Sequence, residues 1–272
     1  MADSIFRLHE VVCSYNGTQP VLEIPELEIP SGKLIAIVGK SGAGKSTILE
    51  TLGLMNQTVA SGTIEFQPGE DQNIILNELW SDPDMLAEVR NRYFSFIFQD
   101  TNLMPNFTAI ENACIPQLLQ GTTLTEAEQN VALAMDQVGL TGLDEHVKVY
   151  ELSGGQRQRL AFVRAITPNF LILFGDEPTG NLDKHNSFEL LKIIRHYIHD
   201  HQRTSIIVSH DLNLSIEFAD QIIVLTKEGN VGTILPTNVF FSKEEKGMKD
   251  WYNNDQKISV ADLRDLLHDQ IQ

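Results

Sequence analysis

The chain has 272 residues, 42% of them apolar, and a formal net charge of −17. That length supports one large domain or two small ones with a real core, and the acidic balance argues against a nucleic-acid partner, which usually meets a basic face. No run of 18 or more apolar residues occurs, which argues against a membrane span. The N-terminus lacks the basic-then-apolar pattern of a signal peptide. The protein is therefore expected in the cytosol, with any membrane spans on another chain. Cys13 and Cys114 lie far apart without a CxxC spacing and read as reduced structural thiols.

Along the chain, residues 5–12 and 27–29 alternate and predict an antiparallel side sheet. Residues 34–38, Leu-Ile-Ala-Ile-Val, are apolar throughout, as in a strand covered on both faces. Residues 94–98, 170–174 and 205–208 read the same way. Helical patterns occupy 46–55, 125–138, 155–165 and 187–199. Strands alternating with helices predict a parallel α/β sheet. Residues 221–225 and 231–235 flank a Glu-Gly-Asn turn and predict a hairpin. Residues 65–92 form a long acidic stretch, expected as a surface elaboration or a specific contact. Roughly 100–160 lacks buried-strand runs and predicts a helical subdomain inserted into the core. Residues 1–235 thus read as the main unit and 236–272 as an extension. In that extension, 243–246 and 253–255 read as solvated linker. Ser259-Val-Ala-Asp262 predicts a capping box opening a short helix with Val260, Leu263, Leu267 and Ile271 on one face. The helix either packs onto its own domain or serves as a partner-binding or regulatory tail.

Gly39, Lys40, Ser41, Gly42, Ala43, Gly44, Lys45, Ser46 and Thr47 follow a buried strand and open a helix, the context that makes this pattern a P-loop. Its glycines let the backbone wrap tightly, so that successive N–H groups face the phosphates. The helix N-terminus adds partial positive charge. Lys45 can reach the β- and γ-phosphates, and the Ser46 hydroxyl can ligate Mg²⁺. The apolar segment from 170 ends in Asp176 and Glu177. Asp176 is placed to hold Mg²⁺, directly or through water. Glu177, one residue on, is placed to polarise an attacking water as a general base.

Between these two motifs residues 152–156 read Leu-Ser-Gly-Gly-Gln. With the three motifs in this order, the chain resembles the nucleotide-binding domains of the ATP-binding cassette (ABC) family over about residues 4–235. The resemblance implies a P-loop NTPase cassette with a RecA-like core, an antiparallel β side sheet and an inserted α-helical subdomain at about 100–160. It also implies ATP and Mg²⁺ as cofactors. Gln99 matches the Q-loop glutamine, which contacts Mg²⁺ or water and senses the membrane partner. Asp183, in Asn-Leu-Asp, matches the D-loop. His210 matches the switch histidine that hydrogen-bonds the γ-phosphate, and Tyr15 the aromatic that stacks on adenine. In this family Ser153, Gly154, Gly155 and Gln156 serve the nucleotide of a second cassette docked head to tail, an identical copy or a paralogue.

Residues 96–112 and 175–183 resemble one bacterial branch, which contains lipoprotein-releasing (LolD-like), macrolide-efflux (MacB-like) and cell-division (FtsE-like) ATPases. Such cassettes work on the cytoplasmic side of the inner membrane, through a permease with a large extracytoplasmic domain. They export, release lipoproteins or transmit force. An FtsE-like control of a periplasmic cell-wall hydrolase and a soluble non-transport ATPase are the alternatives. The acidic stretch, Val163 before Arg164-Ala165, and the tail beyond about 236 depart from the branch pattern.

Overall fold

The structure, a computed structural model, describes residues 4–144, 146–245 and 248–271. In β1 (Ser4–Cys13) and β2 (Leu22–Pro30) apolar residues alternate with polar ones. The strands pair antiparallel, Leu8 opposite Leu27 and Val11 opposite Ile24, with these apolar side chains buried. β3 (Leu34–Gly39) shows no alternation because both of its faces are covered. Leu34, Ala36 and Val38 enter one hydrophobic core, and Ile35 and Ile37 the other.

After α1 (Lys45–Leu52), β4 (Val59–Gly69) and β5 (Gln72–Ile75) extend the antiparallel layer beyond β1. The acidic stretch belongs to this layer. It supplies part of β4, all of β5, a 3-10 turn at Leu76–Ser81 and most of α2 (Pro83–Tyr93). Leu76, Leu79 and Val89 anchor it in the core, and Asp82 caps α2 by accepting from the Met85 N–H.

β6 (Phe94–Phe98) returns to the main sheet, and α3 (Ala109–Leu119), α4 (Leu124–Gln137) and α5 (Gly154–Ile166) follow. Thr108 and Glu111 form a reciprocal capping box at the start of α3. β7 (Ile172–Asp176) begins two residues later than its apolar run predicts. Phe170 packs in the core ahead of the strand, and the Leu171 N–H donates to the Tyr93 carbonyl. α6 (Lys184–Asp200), β8 (Thr204–Val208), α7 (Leu212–Phe218), β9 (Gln221–Glu228) and β10 (Val231–Thr233) complete the core. The parallel strands run in the order β9-β3-β8-β7-β6 and the antiparallel ones β5-β4-β1-β2. β10 joins the layers, pairing parallel with β2 and antiparallel with β9.

Beyond Pro236 the expected solvated linker is corrected. The chain forms β11 (Val239–Glu245), β12 (Met248–Asn253) and β13 (Gln256–Ile258). β11 shares one edge of β9 with β10, pairing Phe240 with Ile222 and Phe241 with Gln221. Charge concealed the strands, because Lys243 and Glu244 are solvent-facing while Phe240 and Trp251 are buried. Asn254 and Asp255 adopt positive φ (44° and 62°) and make the tight turn between β12 and β13. Lys246 lies outside the described residues.

α8 (Val260–Ile271) packs onto its own domain, with Leu263 and Leu267 fully buried in the core that contains Leu212 and Ile216 of α7. The Ser259 hydroxyl accepts from the Asp262 N–H, as its capping pattern predicts. Val260, expected on the buried face, is 39% exposed. The side chain of Ile271 is outside the described residues. No helix among the described residues is long and apolar enough to cross a membrane.

Candidate nucleotide site

The P-loop runs from the end of β3 into α1. Gly44, at φ 99°, turns the chain into the helix in a conformation that L side chains avoid. The buried Lys45 ammonium donates to the carbonyls of Gly39 (2.9 Å) and Lys40 (3.0 Å), lying across the loop it belongs to. Burial pulls its pKa below the usual lysine value, against the opposing charges of Glu177 and Asp176. Ser41 and Gly42 are exposed, Ala43 is buried, and Thr47 is held by a 2.9 Å hydrogen bond with the Tyr15 hydroxyl. Tyr15 is thereby fixed beside the P-loop helix although its side chain is 60% exposed.

Asp176 ends β7, and its carboxylate accepts from the Ser46 hydroxyl at 3.4 Å. Burial and the adjacent Glu177 charge push its carboxyl above the usual range. A cation between Ser46 and Asp176 relieves both effects. Among the described residues no group of three or more His, Cys, Asp or Glu could hold a metal. One hydroxyl and one carboxylate suit a hard ion that takes its remaining ligands from water and phosphate.

Glu177 has a left-handed backbone (φ 48°), and its N–H donates to the Val208 carbonyl. Its carboxylate lies 2.6 Å from His210 Nε2. His210 sits in a turn fixed by Ser209 and Asp211: the Asp211 N–H donates to the Ser209 hydroxyl, and the Asp211 side chain caps α7 at Leu214. Glu177 and His210 line a cavity of about 510 Å³, together with Lys184, Ser209 and, from α8, His268. Lys45, Asp176, Glu177 and His210 thus gather at the ends of the adjacent strands β3, β7 and β8. Ligands in parallel α/β sheets bind at those carboxyl ends.

The remaining sequence candidates are Gln99, Asp183 and residues 153–156. Gln99 follows β6. Its carbonyl accepts from Asn181 Nδ2 at 3.0 Å, and its side chain packs on Gly180, tying it to the loop after Glu177. Among the hydrogen bonds of the described residues, none joins Gln99 to Ser46 or Asp176. Asp183 caps α6 by accepting from the Asn186 backbone (2.9 Å) and side chain (2.7 Å), and these bonds hold its carboxyl below the usual range. Ser153 and Gln156 form a reciprocal capping box at the start of α5, and a Cβ on Gly154 or Gly155 would meet open space. Among the hydrogen bonds of the described residues none joins residues 153–156 to residues 39–47, and Gly155 lines a different cavity.

The sequence profile of the ABC transporter family matches residues 22–180, more than half of the chain. The chain belongs to the ABC transporter family. It is 36% identical over 223 residues to the lipoprotein-releasing system ATP-binding protein LolD of Cytophaga hutchinsonii, covering 81% of this chain and 96% of that protein. It is 34% identical over 234 residues to the macrolide export ATP-binding/permease protein MacB of Vibrio parahaemolyticus, covering 85% of this chain but 34% of that one. Among solved structures, the dimeric bacterial ABC transporter cassette MJ0796 aligns with TM-score 0.70 at 30% identity, over 80% of this chain and 93% of that one. A dimeric post-hydrolysis state of that cassette bound to ADP and Pi aligns with TM-score 0.72 at 28% identity, over 89% and 99%. The protein is an ATP-binding cassette with ATPase activity.

Two residues of the cassette escaped the sequence reading. A Cβ on Gly232 of β10 would lie 1.8 Å from the Ala43 carbonyl oxygen, so the hairpin presses directly on the P-loop backbone. An isolated glycine inside a strand is the signal of such close approach. Lys227 of β9 brings a second ammonium to the loop, 3.7 Å from where a Gly42 side chain would begin. Nothing in the sequence around Lys227 marks it.

Proposed function

We propose that this cassette holds ATP on its P-loop and hydrolyses it with Glu177 and His210, as one of two cassettes driving a separate membrane permease. The observation that carries the reading is the convergence of Lys45, the Ser46–Asp176 pair and the Glu177–His210 pair at neighbouring strand ends. Lys45 and the backbone N–H groups of residues 39–47 hold the β- and γ-phosphates. Ser46 and Asp176, with Gln99 nearby, are the protein ligands for Mg²⁺, which when bound neutralises charge on the phosphates. Tyr15 stacks on adenine.

Glu177 takes the proton from a water attacking the γ-phosphorus, and the bond to the β,γ-bridging oxygen breaks to leave ADP and phosphate. An N–H on His210 Nε2, directed here at a carboxylate, can be redirected to the γ-phosphate. Ser153, Gly154, Gly155, Gln156 and Asp183 face the nucleotide of the second cassette. A hydroxyl, glycine N–H groups and a helix N-terminus form an anion cradle there.

Residues Leu86, Phe96, Phe98, Pro116 and Leu119 line an open groove of about 460 Å³ beside the segment after Gln99. We assign this groove to the permease, which supplies the membrane spans and carries the large extracytoplasmic domain. The cassette then works at the cytoplasmic face of the inner membrane, with no nucleic-acid partner. The test is affinity capture of the Glu177→Gln protein with ATP from detergent-solubilised native membranes, followed by mass spectrometry. A permease with a large extracytoplasmic domain is the expected partner. Recovery of ribosomal or DNA-binding factors alone overturns the proposal.

A further inference from the structure

The C-terminal extension meets α7, the helix that follows His210, through both β12 and α8. Lys249 of β12 donates to two carbonyls in the last turn of α7, those of Ile216 (3.0 Å) and Glu217 (2.9 Å). A cation at this helix end satisfies carbonyls that have no partner within the helix and complements its dipole. The ammonium also lies 4.9 Å from the ring centroid of the buried Trp251. α8 closes over the same helix through the fully buried Leu263 and Leu267. One residue further along α8, His268 reaches the cavity that Glu177 and His210 line. At its other end, α7 is locked to the His210 turn, where the Asp211 carbonyl accepts from the Ser215 hydroxyl at 2.8 Å.

We infer that the extension is a positioning device for ATP hydrolysis: Lys249 fixes α7 from its C-terminal end and so sets where His210 stands relative to Glu177, with His268 forming the outer wall of their cavity. Lys249 is a positioning residue in this arrangement, since it acts through α7 and does not itself reach the cavity. The groups around it support a titratable contact. Arg195 of α6, Glu217 of α7, Asp220 before β9 and Glu244 of β11 all act on its charge. Burial, then the Arg195 charge, lower its pKa to about 8, against the raising influence of the three carboxylates. Arg195 is itself paired with Glu244 at 3.3 Å, and Asp220 with His199 at 2.8 Å. Above about pH 8 the ammonium loses its proton and α7 loses a charged cap.

This inference rests on the proposed roles of Glu177 and His210, and the experiment separates the two. Turnover and ATP affinity are measured for Lys249→Met, Lys249→Arg, His268→Ala and, as a reference, His210→Ala. Lys249→Met keeps the apolar stem over Trp251 and is expected to lower kcat on the order of tenfold. The KM for ATP stays within about twofold, because the P-loop and Tyr15 are untouched. Lys249→Arg recovers turnover. Wild-type kcat falls as pH rises through about 8, and Lys249→Arg lacks that fall because its guanidinium stays charged. His268→Ala alters kcat without altering ATP affinity. Wild-type kcat and pH profile in Lys249→Met, while His210→Ala abolishes turnover, overturns this inference alone. Wild-type turnover in His210→Ala overturns the hydrolytic assignment beneath it. Should Lys249→Met not fold, the pH profile of Lys249→Arg decides, and an alkaline fall identical to wild type counts against the proposal.

Discussion

His210 Nε2 lies 2.6 Å from a Glu177 carboxylate oxygen, although the two stand 33 positions apart in the chain. The contact exists because β7 and β8 are parallel neighbours, with Asp176 paired to Val208, so both strands deliver their next residues to one place. His210→Ala removes that partner and the hydrogen-bond donor proposed for the γ-phosphate. We expect turnover to fall by about 10² or more while ATP affinity, measured by calorimetry, changes by no more than a few-fold. Near-wild-type turnover in this variant contradicts the assignment.

On the proposed role of Lys45 in holding the phosphates, Lys45→Ala acts at the binding step. The ammonium spans the loop between the Gly39 and Lys40 carbonyls and is the P-loop's own buried cation. Its removal is expected to weaken ATP binding by about tenfold or more, as charge-assisted contacts are worth roughly 1.5–3 kcal/mol. Unchanged affinity in a titration with a fluorescent ATP analogue argues that the phosphates lie elsewhere.

Gly232→Ala tests the clamp of the β9–β10 hairpin on the P-loop. A methyl group 1.8 Å from the Ala43 carbonyl oxygen cannot be accommodated without moving backbone. A loss of about 1–3 kcal/mol in urea denaturation is expected, together with weaker ATP binding because the loop itself shifts. A variant with full stability and full affinity shows that the hairpin and loop are independent.

Asp220 gives a pH dependence of stability. Burial alone raises its carboxyl. The hydrogen bonds from His199 and from the Leu34 N–H, with the charges of His199 and Lys33, outweigh that and hold it below the usual range. A carboxylate with a depressed folded pKa stabilises above the unfolded value of about 3.9. The stabilisation disappears as pH falls through the folded value. Asp220→Asn should therefore melt below wild type at pH 7, with the difference closing as pH drops below about 4. A difference that stays constant with pH assigns the effect to packing instead.

Much of the cassette was legible because its signals are local. The all-apolar run of β3 announces a strand buried on both faces, and the glycine-rich segment after it can only be a tight turn into a helix. The carboxylates Asp176 and Glu177 read directly from the end of β7. What escaped depends on distant partners. Lys243 and Glu244 look like linker until Phe240 pairs with Ile222, and Gly232 is informative only once it meets Ala43. The seven-residue α7 is too short to carry a periodic pattern, and its ends are held by Asp211 and by Lys249, 31 residues beyond Phe218. The cavity that joins His268 to Glu177 and His210 is a product of α8 packing, which no local pattern encodes.

In the proposed function Glu177 serves chemistry and not nucleotide binding, and ATP joins two cassettes. The most direct measurement is light scattering on the Glu177→Gln protein with and without ATP, paired with its hydrolysis rate. The account predicts an ATP-dependent dimer that persists, with turnover reduced by about 10² or more. A protein that remains monomeric with ATP bound, or that hydrolyses ATP at the wild-type rate, contradicts it.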